Sequence, residues 1–367
     1  MIHKRVIDEL KYNKYLRESG KQIAIPFPFE KFSEYYPGVQ KARYTIVTAN
    51  SKVGKTKITD FLYCYNVVEQ VIKTGIKAKV LYFSLEVSKE AKIKEAICHR
   101  LYTKYGIVRS PEQLSSAFKN YILDNKVLNI IQSSEFISWL KAFESVVQII
   151  DTKRSGKAIF NYVRVFAANN GRYVDKSGET IDTDLIHKGD PVACERVDQY
   201  LSNTPEEYVI PIFDHGSLLS FQEDGYNELR FALNDFSSFY CLYMRDRLRY
   251  SPVLVQQQAA AQESTENVKL NMIQPSAAGL GDSKLIGRDC DVMLGLFAPF
   301  RYRMREYENY DITKLRDRHR ELSIVLNRHG PAVATQLYFN GAVNYFCELP
   351  DASEFDKNND LYESYSN

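Results

Sequence analysis

The chain has 367 residues, 44% of them hydrophobic, which is room for one large α/β domain with insertions or two smaller ones and excludes wholesale disorder. No apolar run approaches the roughly 20 residues that span a bilayer. The N-terminal MIHKRVIDELKYNKYLRESGKQ is too charged for a signal peptide, so a cytoplasmic protein is expected. A net charge of +2 does not announce a nucleic-acid binder, and six scattered cysteines and six scattered histidines exclude a disulfide scaffold or a zinc site of ordinary spacing.

Residues 6–16 carry loosely helical apolar positions between charges, and the spacing predicts a short helix in a linker-like segment, 1–26. IPFPFEKFSEYYPGVQKARY then reads as an extended entry punctuated by Pro26, Pro28 and Pro37. From Tyr44 the pattern becomes α/β: YTIVTA is a buried strand, 55–74 a helix ending at Gly75, and AKVLYFSLE a second strand. The helix that follows takes Ser88 as its N-cap, and two more helices are expected over 110–124 and 134–151.

The rhythm breaks over about 155–207, where AIFNYVRVF and GRYVDKSGETID are expected to pair as a hairpin turning at Asn169-Asn170-Gly171. EYVIPIFD restores a buried strand, 226–249 is a long helix, and SPVLVQQ is another strand. Residues 258–282 are polar and read as a mobile loop; DCDVMLGLF, LSIVLNRHG and ATQLYFNGAVNYFCEL add strands; the acidic tail 349–367 is expected to be disordered. Alternating strands and helices imply a mainly parallel sheet covered on both faces.

The segment ANSKVGKT, between a strand and a helix, has the context of a phosphate-binding loop, although Ala49 stands where G-x-x-x-x-G-K-[ST] has its first glycine. Backbone N–H groups along Ser51, Lys52, Val53, Gly54, Lys55, Thr56 and Lys57 can surround a phosphate, Lys55 adds positive charge, and the Thr56 hydroxyl can ligate Mg²⁺. The segment KRSGKA at 153–158 lacks a preceding buried strand and is a decoy. Glu86, after the second strand, sits where it could aim a water at a γ-phosphate, and Asp214 ends a hydrophobic strand as a carboxylate that orients Mg²⁺ does. His215 follows Asp214, in the place where many motors put their catalytic glutamate, which favours Glu86.

The order of these pieces resembles the RecA-fold motor domain of DnaB-type replicative helicases over about 27–348. That family's phosphate loop commonly begins with alanine, so Ala49 is in pattern. VLYFSLEVSKE is similar to its strand ending in Ser-Leu-Glu-Met-Ser and implies Glu86 as general base; IPIFDHGSLLS is similar to its Asp-Tyr-Leu-Gln-Leu segment. SPVLVQQQ resembles the strand with a γ-phosphate-sensing glutamine, implying Gln258, and GDSKLIGRDCDVMLGLF places Asp289 and Asp291. IVLNRHGPAVATQLYF resembles the Lys-x-Arg-x-Gly-Pro stretch, whose arginine enters the neighbouring subunit's site as a finger; Arg328 matches it, but Leu326 replaces the lysine.

The resemblance implies an α/β RecA-like P-loop NTPase with a hairpin-containing insertion, using ATP and Mg²⁺, self-associating into a ring, as a hexamer, and acting as a DNA helicase on single-stranded DNA in replication. The catalytic set would be Lys55, Thr56, Glu86, Asp214, Gln258 and Arg328, with Thr56 and Asp214 at the metal. The insertion would be a docking element for a replication partner or a neutral elaboration. The missing N-terminal helical domain and the composition point to a phage or other mobile element. Candidate DNA contacts, 220–226 and 262–282, are poor in Lys and Arg, which keeps open a non-unwinding ATPase (a loader, switch or structural protein), with a packaging or recombinase-type ATPase as a further alternative.

Overall fold

The computed structural model describes residues 2–20, 22–270, 272–283, 285–358 and 360–366. Its strands are β1 (Thr45–Ala49), β2 (Ala78–Ser84), β3 (Val147–Ile150), β4 (Gly171–Val174), β5 (Gln199–Ser202), β6 (Tyr208–Asp214), β7 (Val253–Gln257), β8 (Val292–Phe297), β9 (Glu306–Tyr307), β10 (Tyr310–Asp311), β11 (His319–Asn327), β12 (Ala334–Asn340) and β13 (Tyr345–Glu348). One nine-stranded sheet runs β13-β12-β11-β8-β1-β7-β6-β2-β3. The strands from β8 to β3 in that order pair in parallel, while β11, β12 and β13 continue one edge antiparallel.

Both faces of the parallel part are covered, and alternation along each strand divides its side chains between two cores. Val47, Val80, Tyr82, Ile212, Val253 and Val255 face one core, with the helices after β1 and β2. Ile46, Leu81, Phe83, Phe213 and Leu254 face the other, with the helix Gly156–Asn169 and the helical stretch 229–246. The chain after Gly54 is helical from Lys55 to Thr74, with one π-helical turn at Phe61–Tyr65, and Gly75 ends it at φ 73°.

Three expectations are corrected. AIFNYVRVF is helix: Ser155 caps the helix Gly156–Asn169 by accepting from the Ala158 N–H, and Ile159, Val163 and Ala167 form a helical apolar stripe into the second core. β4 pairs instead with β5, so the insertion contains a two-stranded antiparallel sheet without a tight turn at Asn170. The stretch before Asp151 ends as β3, an edge strand on β2, because β-branched Val147, Ile149 and Ile150 suit a pleated surface. The acidic tail folds: the helices Ala352–Lys357 and Asp360–Ser366 bury Phe355 and Tyr362 against Tyr310, Ile312, Leu315 and Tyr338. Residues 258–282 contain short helical turns, with the Gln258 and Gln262 side chains bonded to backbone carbonyls of the same segment. No described helix is long and apolar enough to cross a membrane.

Candidate nucleotide site

β1, β6 and β7 finish at the same end of the sheet, β2 beside them, and the candidate residues gather there. Ala49 is the last residue of β1, buried and still paired with Gln257 and Leu296, so the strand stays extended and needs no glycine at that position. The chain then turns through Lys52 at φ 60° and Gly54 at φ 114°, the second a conformation that a side chain would strain. Gly54 precedes the first turn of helix at Lys55, which directs free N–H groups into the loop.

The Thr56 hydroxyl donates to Asp214 Oδ1 at 2.9 Å. The pairing follows from topology: Asp214 ends β6 level with Ser84 of β2 and Val255 of β7, facing the start of the phosphate-loop helix. A hydroxyl and a carboxylate side by side form an all-oxygen donor set that suits Mg²⁺ better than a softer ion, so the residues fit the group expected here. The loop and its lysine likewise fit a polyphosphate.

Behind Asp214 lies a buried network that sequence reasoning did not find. Tyr82 donates to Asp214 Oδ2 at 2.6 Å, and Lys92 donates to Tyr82 Oη and to Asp60 Oδ2, both at 2.9 Å. Lys92 Nζ also lies 3.5 Å from Asp214 Oδ2 and 3.8 Å from Glu95. An ammonium has only donors, so the Tyr82 hydroxyl proton must point to Asp214, and the hydrogen-bond chain has one polarity. Burial alone would lower the Lys92 ammonium; Asp60 first, then Asp214 and Glu95, overcome it and raise it above its ordinary value. Burial pushes Asp60 up to about 6 against the pull of Lys92. The available signal was Lys92 itself, a lysine on the same helical stripe as buried Ala96 and His99.

Glu86 stands two residues beyond β2, exposed, with its Oε2 3.9 Å from His215 Nε2. Burial, then Lys55, lowers the His215 imidazole from its usual value, while Asp214 and Glu86 pull weakly the other way. A neutral histidine therefore faces Glu86 and does not neutralise it at pH 7.

The structure does not bring Gln258 to the loop. Its side chain is buried, donating to Thr48 Oγ1 at 2.9 Å and the Ser276 carbonyl at 3.1 Å. Gln257 instead accepts from Lys55 Nζ at 3.3 Å. Alternation explains it: Gln257 shares the face of Val253 and Val255, toward the phosphate-loop helix, whereas Gln258 shares the face of Leu254. Asn50, in the loop, donates to the Ile273 carbonyl at 3.0 Å and to Tyr302 Oη, tying the loop to 258–282.

Arg328 lies at the other end of the sheet. Asn327 pairs with Val292 at the start of β8, and Val292 pairs with Thr45 at the start of β1. It is thus a strand length, about 13 Å, from the phosphate loop of its own chain. Its Nε donates to the Cys290 carbonyl at 2.8 Å and its Nη2 bonds to the Arg288 carbonyl. Leu326 packs partly buried against the second core. Asp291 accepts from the Tyr44 N–H and from Arg245, and Asp289 accepts from Ser237.

The decoy at 153–158 is a helix start already filled from within the chain: Asp224 accepts from the Lys157 N–H at 2.9 Å. An acid in the 220–226 loop thus has a structural use at a helix N-terminus.

No protein-family model matches the sequence, and no curated protein does. Among solved structures, a helicase ATPase domain matches with a TM-score of 0.61 at 17% identity, over 94% of this chain and 99% of that one. A DnaB-like replicative helicase, solved to describe its interactions with primase, matches with a TM-score of 0.61 at 15% identity, over 93% of this chain and 66% of that one. With the phosphate loop, the parallel strand order and the antiparallel edge in place, the chain has the RecA-like α/β fold of DnaB-type helicase ATPase domains.

Proposed function

We propose that the chain is the Mg²⁺-ATP-dependent motor of a ring-forming helicase that moves on single-stranded DNA. The observation that carries this reading is the meeting of Thr56 and Asp214 beside the Gly54-Lys55 turn, at the end of a sheet with a helicase-type fold. The loop N–H groups from Ser51 to Lys57 and the Lys55 ammonium would hold the phosphates, and Thr56 and Asp214 the magnesium. The metal, when bound, supplies positive charge against the phosphate oxygens. Glu86 would take the proton of the attacking water, oriented by neutral His215. Gln257, already in contact with Lys55, would meet the γ-phosphate in the role the resemblance gives to Gln258. Arg328, too far from its own loop, would complete the site of the neighbouring subunit.

The ring would be a hexamer in the host cytoplasm, with the face of the 155–207 insertion open to a replication partner. A second reading, an ATPase that does not unwind, is favoured by one observation: Lys269 is the only basic residue over 262–282.

The test is ATP hydrolysis by wild type and Glu86→Gln, with and without single-stranded DNA, alongside oligomer mass. We expect DNA to stimulate turnover and Glu86→Gln to lower it by about 10²–10⁴-fold, the usual contribution of a general base, without loss of nucleotide binding. Binding without DNA-stimulated turnover would leave the second reading.

A further inference from the structure

Arg320 is among the largest fully buried side chains of the protein, and no motif accounts for it. It enters β11 at the phosphate-loop end of the sheet, where β11 passes Phe297 at the finish of β8. Its Nε donates to the Val53 carbonyl at 2.9 Å, inside the phosphate loop. Nη1 donates to the Asp317 and His319 carbonyls, both at 2.8 Å, and Nη2 to Asp317 Oδ1 at 3.0 Å. The guanidinium lies 4.7 Å over the ring of Phe339, and the other edge of that ring lies under Gly54, 3.7 Å from where a Cβ would stand. Arg320 and Phe339 therefore form the floor of the loop.

The geometry has a consequence for the loop's N–H groups. The Val53–Gly54 peptide is trans, so its C=O and N–H point in opposite directions. A carbonyl held inward by Arg320 turns the Gly54 N–H outward, on the side where the loop opens. Gly54, at φ 114°, has few steric limits of its own and would otherwise let this peptide rotate.

We propose that Arg320 is a positioning residue for phosphate binding, which pins the Val53 carbonyl and so presents the Gly54 N–H to a nucleoside di- or triphosphate before it arrives. The inference rests on the nucleotide-binding reading of this loop. Preorganised donors bind an anion more tightly than donors that must first be ordered, because the ordering entropy is already lost in the free protein. A lysine in place of Arg320 would lack the fork that holds Val53 and Asp317 together.

The experiment is calorimetric titration of Mg·ADP into the full chain, as wild type, Arg320→Met, Arg320→Gln and, as a basic-residue control, Arg318→Ala, with melting temperatures measured in parallel. Glutamine has a shorter arm that does not reach Val53, and it carries the test if the methionine variant does not fold. We expect wild type to bind, folded Arg320 variants to bind about tenfold more weakly, the effect of one lost buried hydrogen bond, and Arg318→Ala to stay within about twofold of wild type. Wild-type affinity in folded Arg320 variants, with only the melting temperature lowered, would overturn the proposal and leave the site reading intact. Absence of ADP binding by wild type would overturn that reading, and the proposal with it.

Discussion

At the end of the sheet where β1, β6 and β7 finish, charge is buried and cross-braced: Lys92 among Asp60, Asp214 and Tyr82, and Arg320 under Val53. At the opposite end, where β8 begins and β11 finishes, Arg328 is exposed and rests on backbone carbonyls, while Arg245 and His329 approach Asp291. Desolvated ion pairs fix geometry because breaking one leaves a charge unpaired in the core. Exposed hydrogen bonds to carbonyls exchange readily with water or a partner. One sheet thus carries a rigid end suited to hold phosphates and a replaceable end suited to meet another molecule.

The sharpest way to break this contrast is Arg328→Ala. Hydrolysis should fall by about 10³-fold or more, the range of an arginine finger, while ADP binding stays unchanged. Mixing that variant with Lys55→Ala, itself unable to bind, should restore activity, since some interfaces then combine an intact loop with an intact arginine. Mixtures that remain inactive would mean that the two ends do not cooperate between subunits.

Lys92→Met tests the rigid end. Removing the cation leaves Asp60 and Asp214 buried together, and the loss should be about 3–5 kcal/mol of folding stability, read from urea unfolding. A change below about 1 kcal/mol would place Lys92 among ordinary surface pairs.

The third prediction separates buried charge from buried neutrality in the same helix, Lys89–Tyr105. Burial, opposed by hydrogen bonds to the Val343 and Asn344 carbonyls, lowers the His99 imidazole from 6.5 to about 4. Folded His99 therefore stays neutral where the unfolded chain has already taken a proton. The stabilising effect is full above pH 6.5 and is lost progressively as pH falls toward 4, about 1.4 kcal/mol per pH unit and roughly 3 kcal/mol in all. His99→Gln should flatten the pH dependence of stability in that window by the same slope. An unchanged slope would assign the acid sensitivity to other groups, with His319, lowered to about 3 by burial and Arg320, as the next to test.

The phosphate loop, its strand and helix, Thr56 and Asp214 were legible because a short contiguous segment or an apolar run ending in an acid carries each of them. Glu86 was legible through the resemblance. Gln257 was hidden by its neighbour: only the pairing of Ala49 with Gln257 decides which of two adjacent glutamines faces Lys55.

Local sequence, by itself, determined the β1–loop–helix unit, the order of the central strands and the capped helix at Ser88, since each depends on interactions within a few residues. Tertiary structure decided that 158–166 is helix rather than strand, because its apolar stripe has the second core to face. It decided that the acidic tail folds, because Tyr310 and Tyr338 offer Phe355 and Tyr362 a place to bury. It also made Lys92 and Arg320 internal. Their partners, Asp60 and Asp214 for one and Val53 for the other, lie far away in sequence, and a buried cation is stable only where such partners converge.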